Sequence, residues 1–351
     1  MTATTTLTGR SLPVRLAGID SYLPEHVVTN DDLAQVLDTS DEWIRTRTGI
    51  RERHILAPDQ ATSDLALAAA RGALEDAGMS ADQLTAIVVA TTTPDHTVPG
   101  TAPLVAAALG TEATAFDVNA ACSGFLYGLR VGSSLLATGD DAVMVIGAET
   151  LSRIVNPADR SVAVLFGDGA GAAVLVRDES ASLGPFDLGT DGRDPSMLWA
   201  EAGGSRTPVD AEVLTGGSHF ITMRGGDVYR NAVARMVASS QAVLDEAGVK
   251  VEDVDVFVGH QANLRILEAV GQRLGIPADN THVTVDRHGN TSAASVPLAL
   301  ADARDSGRLT PGDTVLLSAF GAGLTWGSCL LTWQPSGPAP AVGTDGDGGA
   351  A

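Results

Sequence analysis

An internally duplicated α/β protein is the fold class this sequence predicts, and three observations carry the prediction. Residues 74–90, LEDAGMSADQLTAIVVA, recur 170 positions later as LDEAGVKVEDVDVFVGH, 244–260. DDAVMVIGAE (140–149) recurs 172 positions later as GDTVLLSAFG (312–321), which sets Val143 against Val315. Each half then carries a Gly-rich strand signal, GDGAGAAVLV from Gly167 and GAGLTWGSCLL from Gly321. A near-constant offset across a 351-residue chain signifies duplication rather than a short solenoid repeat.

Taken in order, residues 74–90 read as the end of a helix, a glycine stop, an acidic turn and a buried strand. A strand ending at Phe116-Asp117-Val118 precedes Cys122 and the helical run SGFLYGLRVGSSLLATG. The strand at 140–149 and the Gly-rich strand close the first half. Residues 181–220, rich in Gly, Asp, Ser and Pro, read as connection and insertion. The second half repeats helix, stop, turn and strand up to His260. A strand HVTVD (282–286) then precedes Asn290 and the helical run TSAASVPLALADARDSG. Strands alternating with amphipathic helices imply a largely parallel, helix-covered sheet in each half. The halves are placed at 1–180 and 181–335. The tail 336–351, rich in Pro, Gly and Ala, reads as disordered and outside the fold.

Composition limits the functions. With 22 Lys+Arg against 43 Asp+Glu, the net charge of −21 argues against nucleic acid or an anionic membrane as the main partner. No stretch approaches the roughly 18 apolar residues of a membrane span, and the start MTATTTLTGR lacks a signal-peptide pattern. Two cysteines make no disulfide framework, so a reducing cytoplasm is the expected location.

Cys122, Asn290 and His260 all fall at ends of expected strands, where open α/β sheets place their ligands. A thiol at a helix N-terminus is expected to have a lowered pKa and N–H groups positioned for an oxyanion. Taken singly, each has a plainer reading: Cys122 as a small buried residue, His260 as a hydrogen-bonded structural histidine, Asn290 as a turn or cap. His288 is a rival for the histidine role, and Cys329, alternating with leucines, reads as core. No His or Cys pair has metal-ligand spacing. GDGAGAA precedes a strand, not a helix, so it is no dinucleotide fingerprint.

Six segments in register resemble the β-ketoacyl-[acyl-carrier-protein] synthase III family. They are TSDEWIRTRTGIRERHI (39–55), AACSGF (120–125), FGDGAGAAVL (166–175), HQANLRI (260–266), GNTSAASVP (289–297) and FGAGLTWGS (320–328). The resemblance implies a thiolase-like fold, a duplicated five-layer α-β-α-β-α sandwich, as a homodimer. It implies decarboxylative Claisen condensation of an acyl-CoA with malonyl-acyl carrier protein, starting fatty acid or polyketide chains without a metal or other cofactor. Cys122 is then the nucleophile, completed by His260 and Asn290, with the Cys122 and Ala322 N–H groups as oxyanion hole. Trp43 and Arg160 would sandwich the CoA adenine, Arg47 would meet the phosphates and Asn263 the pantetheine. Arg265 and Arg273 resemble part of a docking patch for the acidic carrier, with Gln272 where many relatives have another base.

Three departures carry expectations. Gly259 replaces a usual Pro and should loosen the backbone before His260. Ala322 replaces a common Gly and retains its N–H. Val98 stands where acetyl-selective relatives contribute a Phe across the dimer, which predicts an acyl pocket with room for a primer larger than acetyl. The alternatives are an acyltransferase of the same fold that passes the acyl group on without decarboxylation, a Cys-His-Asn hydrolase, and a non-catalytic acyl- or carrier-binding partner.

Overall fold

The computed structural model describes residues 7–9 and 11–337, and in it the sequence repeat becomes two stacked sheets. The first half contains β1 (Leu7–Gly9), β2 (Val14–Tyr22), β3 (His26–Thr29), α1 (Asn30–Ala34), α2 (Asp41–Thr48), β4 (Glu52–Ile55), α3 (Thr62–Ala77), β5 (Ala86–Ala90), α4 (Thr101–Leu109), β6 (Thr114–Val118), α5 (Gly124–Thr138), β7 (Ala142–Thr150), α6 (Arg160–Ala163) and β8 (Asp168–Arg177). The second contains β9 (Leu183–Thr190), β10 (Leu198–Ala200), α7 (Ala211–Gly216), β11 (Ile221–Met223), α8 (Gly225–Ala247), β12 (Val256–Gly259), α9 (Leu264–Leu274), α10 (Val285–His288), α11 (Ser295–Asp305), β13 (Thr314–Gly321) and β14 (Thr325–Thr332).

The sheets have the orders β2-β8-β7-β5-β6 and β1-β9-β14-β13-β12. Strands equivalent by the repeat occupy equivalent places, and the pairs β5–β7 and β12–β13 are both parallel. Alternation along each strand sends side chains to opposite faces. Val88, Val143 and Val145 of the first sheet and Val256, Val315 and Leu317 of the second meet α5 and α11 in one central core. Ile87, Val89 and Met144 face α3 and α4, while Phe257, Leu316 and Leu330 face α8 and α9. The result is five layers, α-β-α-β-α. Both repeat helices end as expected, at Gly78 and Gly248 with φ of 62° and 67°, values that glycine adopts without Cβ strain.

Five expectations change. The sheets are mixed rather than largely parallel: two of the four pairings in the first sheet are parallel, and one of the four in the second. β1 belongs to the first half by sequence, yet it pairs with β9 in the second sheet. Residues 183–190, read as connection, are β9, which carries that sheet against β14. HVTVD is not a strand: a lone bridge joins Phe257 to Thr281, and helix α10 follows. The reason is the Gln261 side chain, whose Oε1 accepts the N–H groups of Thr284 and Val285 that a neighbouring strand would need. Finally, Ser336 and Gly337 of the supposed tail are attached to the fold, through Asp76 and the Ala17 carbonyl. The remainder of the tail, 338–351, lies outside the described residues.

Candidate active site

The central layer brings two helix starts together. The one-turn segment Ala121–Ser123 leads into α5, and its counterpart Ser292–Ala294 leads into α11. The two turns pack on each other, and each also touches the other half's strand, Ala121–Ser123 on β13 and Ser292–Ala294 on β7. At Gly321 the approach is so close that a Cβ would lie 2.6 Å from the Cys122 nitrogen. Gly147 likewise lies against the Ala293 carbonyl, 2.3 Å from a notional Cβ. The Gly-rich segment of β8 has the same use, since a Cβ on Gly171 would meet Pro297 at 2.7 Å. These glycines serve close packing between the halves, which agrees with GDGAGAA being no dinucleotide fingerprint.

Cys122 is buried, and two cavities meet at it. The first, of about 530 Å³, is also lined by His260, Asn290, Phe320, Asn263 and Trp43. The second, of about 410 Å³, is lined largely by apolar side chains, among them Leu151, Ile154, Leu198, Trp199 and Ile221. Sequence positions 122, 260 and 290 therefore converge on one space. Ala322 lines the second cavity, and its N–H, like that of Cys122, reaches the Cys122 sulfur. The expected lowering of the thiol pKa is not found. Burial pushes it up to about 11, outweighing the opposing effects of the neighbouring Ser292 hydroxyl and of these two N–H groups.

His260 is held at the end of β12 by its N–H on the Ser318 carbonyl at 2.8 Å. Its Nδ1 lies 2.6 Å from the Ser295 hydroxyl, which itself accepts the Gln261 N–H. We assign the Ser295 hydroxyl as donor to Nδ1, the tautomer that leaves the imidazole hydrogen on Nε2. Burial lowers the ring's pKa to about 3, which keeps it neutral. Gly259 does not loosen this backbone: it sits in the ladder opposite Ser318, where a Cβ would lie 2.5 Å from Leu267.

Asn290 is fixed by a parallel bridge to Phe166, its N–H on Leu165 and its carbonyl on the Gly167 N–H. Its Oδ1 accepts the Ser292 N–H at 2.9 Å, so the Nδ2 amide is the group available to the cavity. The site thus offers two neutral donors, His260 Nε2–H and Asn290 Nδ2–H, in a buried space. His288 lines neither cavity; it is buried edge-on to His54, and its Nδ1 has no partner. Cys329 is a core residue of the central layer.

The outlying predictions divide. Trp43 lies at the first cavity, with the Arg47 guanidinium 4.4 Å and that of Arg160 4.9 Å from its ring centroid. Arg160 is also bonded to the Asp38 carbonyl. Asn263 lines the cavity, but its polar atoms are engaged: Oδ1 caps α9 through Arg265 N–H, and Nδ2 donates to the Arg47 carbonyl. Arg265 is exposed at the cavity mouth over Tyr229, and Arg273 is exposed on the same helix. Val98 is 84% exposed and lines neither cavity of its own chain.

Three residues of the site escaped sequence reading: Ser292, Ser295 and Glu149. Glu149 carried a signal, being an acid at the end of an otherwise apolar strand. No group of three or more His, Cys, Asp or Glu among the described residues is arranged to hold a metal. Nor is any helix among them long and apolar enough to cross a membrane.

Comparison with known proteins places these residues in context. The family model described as 3-oxoacyl-[acyl-carrier-protein] synthase III matches residues 116–192, and the model for its C-terminal part matches 244–333. The β-ketoacyl-[acyl-carrier-protein] synthase III of Xanthomonas campestris is 52% identical over 325 residues, 91% of this chain and 98% of that protein. The crystal structure of the corresponding synthase from Pseudomonas aeruginosa superimposes with a TM-score of 0.85 at 44% identity, covering 92% of this chain and 98% of that one. A priming β-ketosynthase from a polyketide biosynthetic pathway does so with a TM-score of 0.85 at 36% identity, covering 93% and 98%.

Proposed function

The chain belongs to the β-ketoacyl-[acyl-carrier-protein] synthase III family, and from that premise we propose roles for its residues in decarboxylative condensation. The reaction joins an acyl primer to a malonyl unit and starts a fatty acid or polyketide chain. The observation that supports the assignment best is the meeting of two cavities at one buried thiol, with both neutral donors in only one of them.

In the first half-reaction the Cys122 sulfur attacks the thioester carbonyl of an acyl-CoA. The N–H groups of Cys122 and Ala322 hold the oxyanion, and CoA leaves with the thiol's proton. The acyl chain lies in the second cavity and the pantetheine arm in the first. In the second half-reaction malonyl-acyl carrier protein enters through the first cavity. His260 Nε2–H and Asn290 Nδ2–H donate to its thioester oxygen while the bond to CO₂ breaks, and its electron pair passes into the enolate. The enolate carbon attacks the acyl carbonyl, Cys122 leaves as a thiolate that takes up one proton from solvent to restore the thiol, and the β-ketoacyl product is released. A neutral His260 suits this task, because both donors must keep their hydrogens while negative charge develops. Loss of CO₂ supplies the carbanion, so the equation balances without a cofactor.

Binding of CoA at Trp43 and Arg160 needs movement. A planar base between them requires about 7 Å, two contacts of about 3.5 Å, against the present 4.9 Å. We infer that the base displaces Arg160 from Asp38. Arg265 and Arg273 are assigned to carrier docking, where local positive charge acts over about 8 Å despite the acidic chain. The apolar second cavity, about 410 Å³ in volume, favours a primer larger than acetyl. Val98 acts there only from a second copy of the chain, which makes the functional unit a dimer.

Intact-mass measurement across an acyl-CoA panel, followed by malonyl-acyl carrier protein, tests these roles. Expected are an acyl adduct lost in Cys122→Ala, faster labelling by four- to six-carbon primers than by acetyl, and CO₂ release on condensation. Acylation without CO₂ release would instead establish the plain acyltransferase, and preferred acetylation would remove the primer argument.

A further inference from the structure

Glu149, next to the end of β7, takes no part in the steps above, although it is fully buried close behind Cys122. Its carboxylate accepts the Thr92 N–H, the hydroxyls of Thr92 at 2.9 Å and Thr93 at 2.7 Å, and that of Ser292 at 3.0 Å. Among the described residues it is ion-paired with no Lys, Arg or His. The turn that carries Ser292 packs on the turn that carries Cys122, and the Ser292 hydroxyl is near enough to the thiol to act on its titration. Ser292 Oγ therefore stands between Cys122 Sγ and Glu149 Oε1, bonded to the carboxylate and placed to take the thiol's proton. Ser292 is held with φ of +48°, a left-handed conformation that non-glycine residues keep where surrounding structure requires it.

Acyl transfer needs a temporary station for a proton, which starts on the Cys122 thiol and ends on the sulfur of CoA. His260 does not provide it, because Ser295 occupies Nδ1 and Nε2 already carries hydrogen. We propose that Glu149 is the station: as Cys122 attacks, its proton passes to Ser292 Oγ while the Ser292 proton passes to Glu149 Oε1. The departing CoA thiolate then takes a proton back through the same hydroxyl, restoring the carboxylate. No atom is gained or lost beyond the exchange of acyl group and proton between the two sulfurs.

The charge arithmetic supports this route. A thiolate beside an ionised Glu149 would put two negative charges in a dry site, and the carboxylate indeed raises the thiol's pKa. Transfer through Ser292 Oγ keeps the charge at one throughout. Burial also raises the Glu149 pKa, which brings its proton affinity nearer that of the thiol. The groups packed on Glu149 are Thr91, Thr92, Thr93, Ser292 and Cys122; of these only Cys122 titrates.

The inference rests on Cys122 being the acylated nucleophile, which Cys122→Ala tests separately by loss of the adduct. Glu149→Gln retains the size of the side chain but not its proton acceptor. Ser292→Gly suits the left-handed backbone and removes the intervening hydroxyl. In single-turnover acylation followed by rapid-quench mass, each variant should slow by on the order of 10²-fold, the lower range for a lost general base. The decline of the wild-type rate toward acid pH should vanish in Glu149→Gln. Condensation from enzyme already acylated should stay within a few-fold of wild type in both. Wild-type acylation in either variant overturns the proposal, as does an equal loss of both half-reactions, which would mark a purely structural role.

Discussion

Gly321→Ala is the sharpest available test of how the two halves build the site. The added methyl would sit 2.6 Å from the Cys122 nitrogen and 3.2 Å from its Cα and Cβ. Ordinary contact begins at 3.4 Å, so the nucleophile's backbone has to retreat by about 0.8 Å or β13 has to yield by as much. Neither can give freely, because Gly321 is paired with Thr325 and both elements lie in the central core. Such overpacking is expected to destabilise by about 1–3 kcal/mol. The effect on chemistry should be larger in proportion. A displacement near 1 Å of a reacting group lowers rates by on the order of 10²-fold, and here it moves the sulfur and both oxyanion N–H groups together. Single-turnover acylation reads the rate, and denaturant unfolding reads the stability. Gly204→Ala, whose methyl would meet nothing within 4 Å, is the control and should change neither. If Gly321→Ala acylates at the wild-type rate, the close seating of Cys122 on β13 does not position the nucleophile.

Gly147→Ala pushes on the Ala293 carbonyl in the turn after Asn290, so stopped-flow CO₂ release should slow more than acylation does. Ser295→Ala frees Nδ1 of His260; removing a hydrogen bond of about 1 kcal/mol should slow condensation about 5-fold and leave acylation rates unchanged. Trp43→Ala removes a stacking surface of about 1–3 kcal/mol, raising KM for acyl-CoA by about tenfold or more in steady-state assays with kcat retained. His288 has its pKa lowered by burial from 6.5 to about 4, so the unfolded chain binds a proton the folded one refuses. Its contribution is complete above pH 6.5 and is lost as pH falls toward 4. Chemical denaturation at pH 7 and pH 5 should show wild type losing about 2 kcal/mol more than His288→Gln.

Most of the fold was written in the repeat, since helix ends, glycine stops and apolar strands each depend on local pattern. What escaped depends on partners remote in sequence. β1 is three residues long, and its allegiance to the second sheet is decided by β9, more than 170 positions away. HVTVD alternates as a strand should, but one glutamine side chain takes the backbone donors that strand pairing would use. The same division holds in the site. Cys122 and His260 were legible because strand ends and motif spacing mark them, and Asn290 through motif spacing alone, since the strand expected before it is absent. The raised thiol pKa was not, because a helix start is a local feature and burial is a property of the whole assembly. Glu149 passed as part of a strand for the same reason.

The repeat also corrects one equivalence and explains the division of labour. The sequence reading set Cys122 opposite Asn290, 168 positions apart. In the structure the offset is 171: Asn119 accepts the Ala121 N–H as Asn290 accepts that of Ser292. Ala121 and Ser292 are both left-handed, at φ of 47° and 48°. The true counterpart of Cys122 is Ala293, and that of Asn290 is the exposed Asn119. One turn geometry was therefore copied and put to two uses. In the first half, the residue after the left-handed position became the nucleophile. In the second, the asparagine before that position became the donor. Because each turn rests on a glycine of the opposite half, neither copy holds its own reacting group without the other. The chemistry is asymmetric, whereas the scaffold that positions it has remained close to twofold.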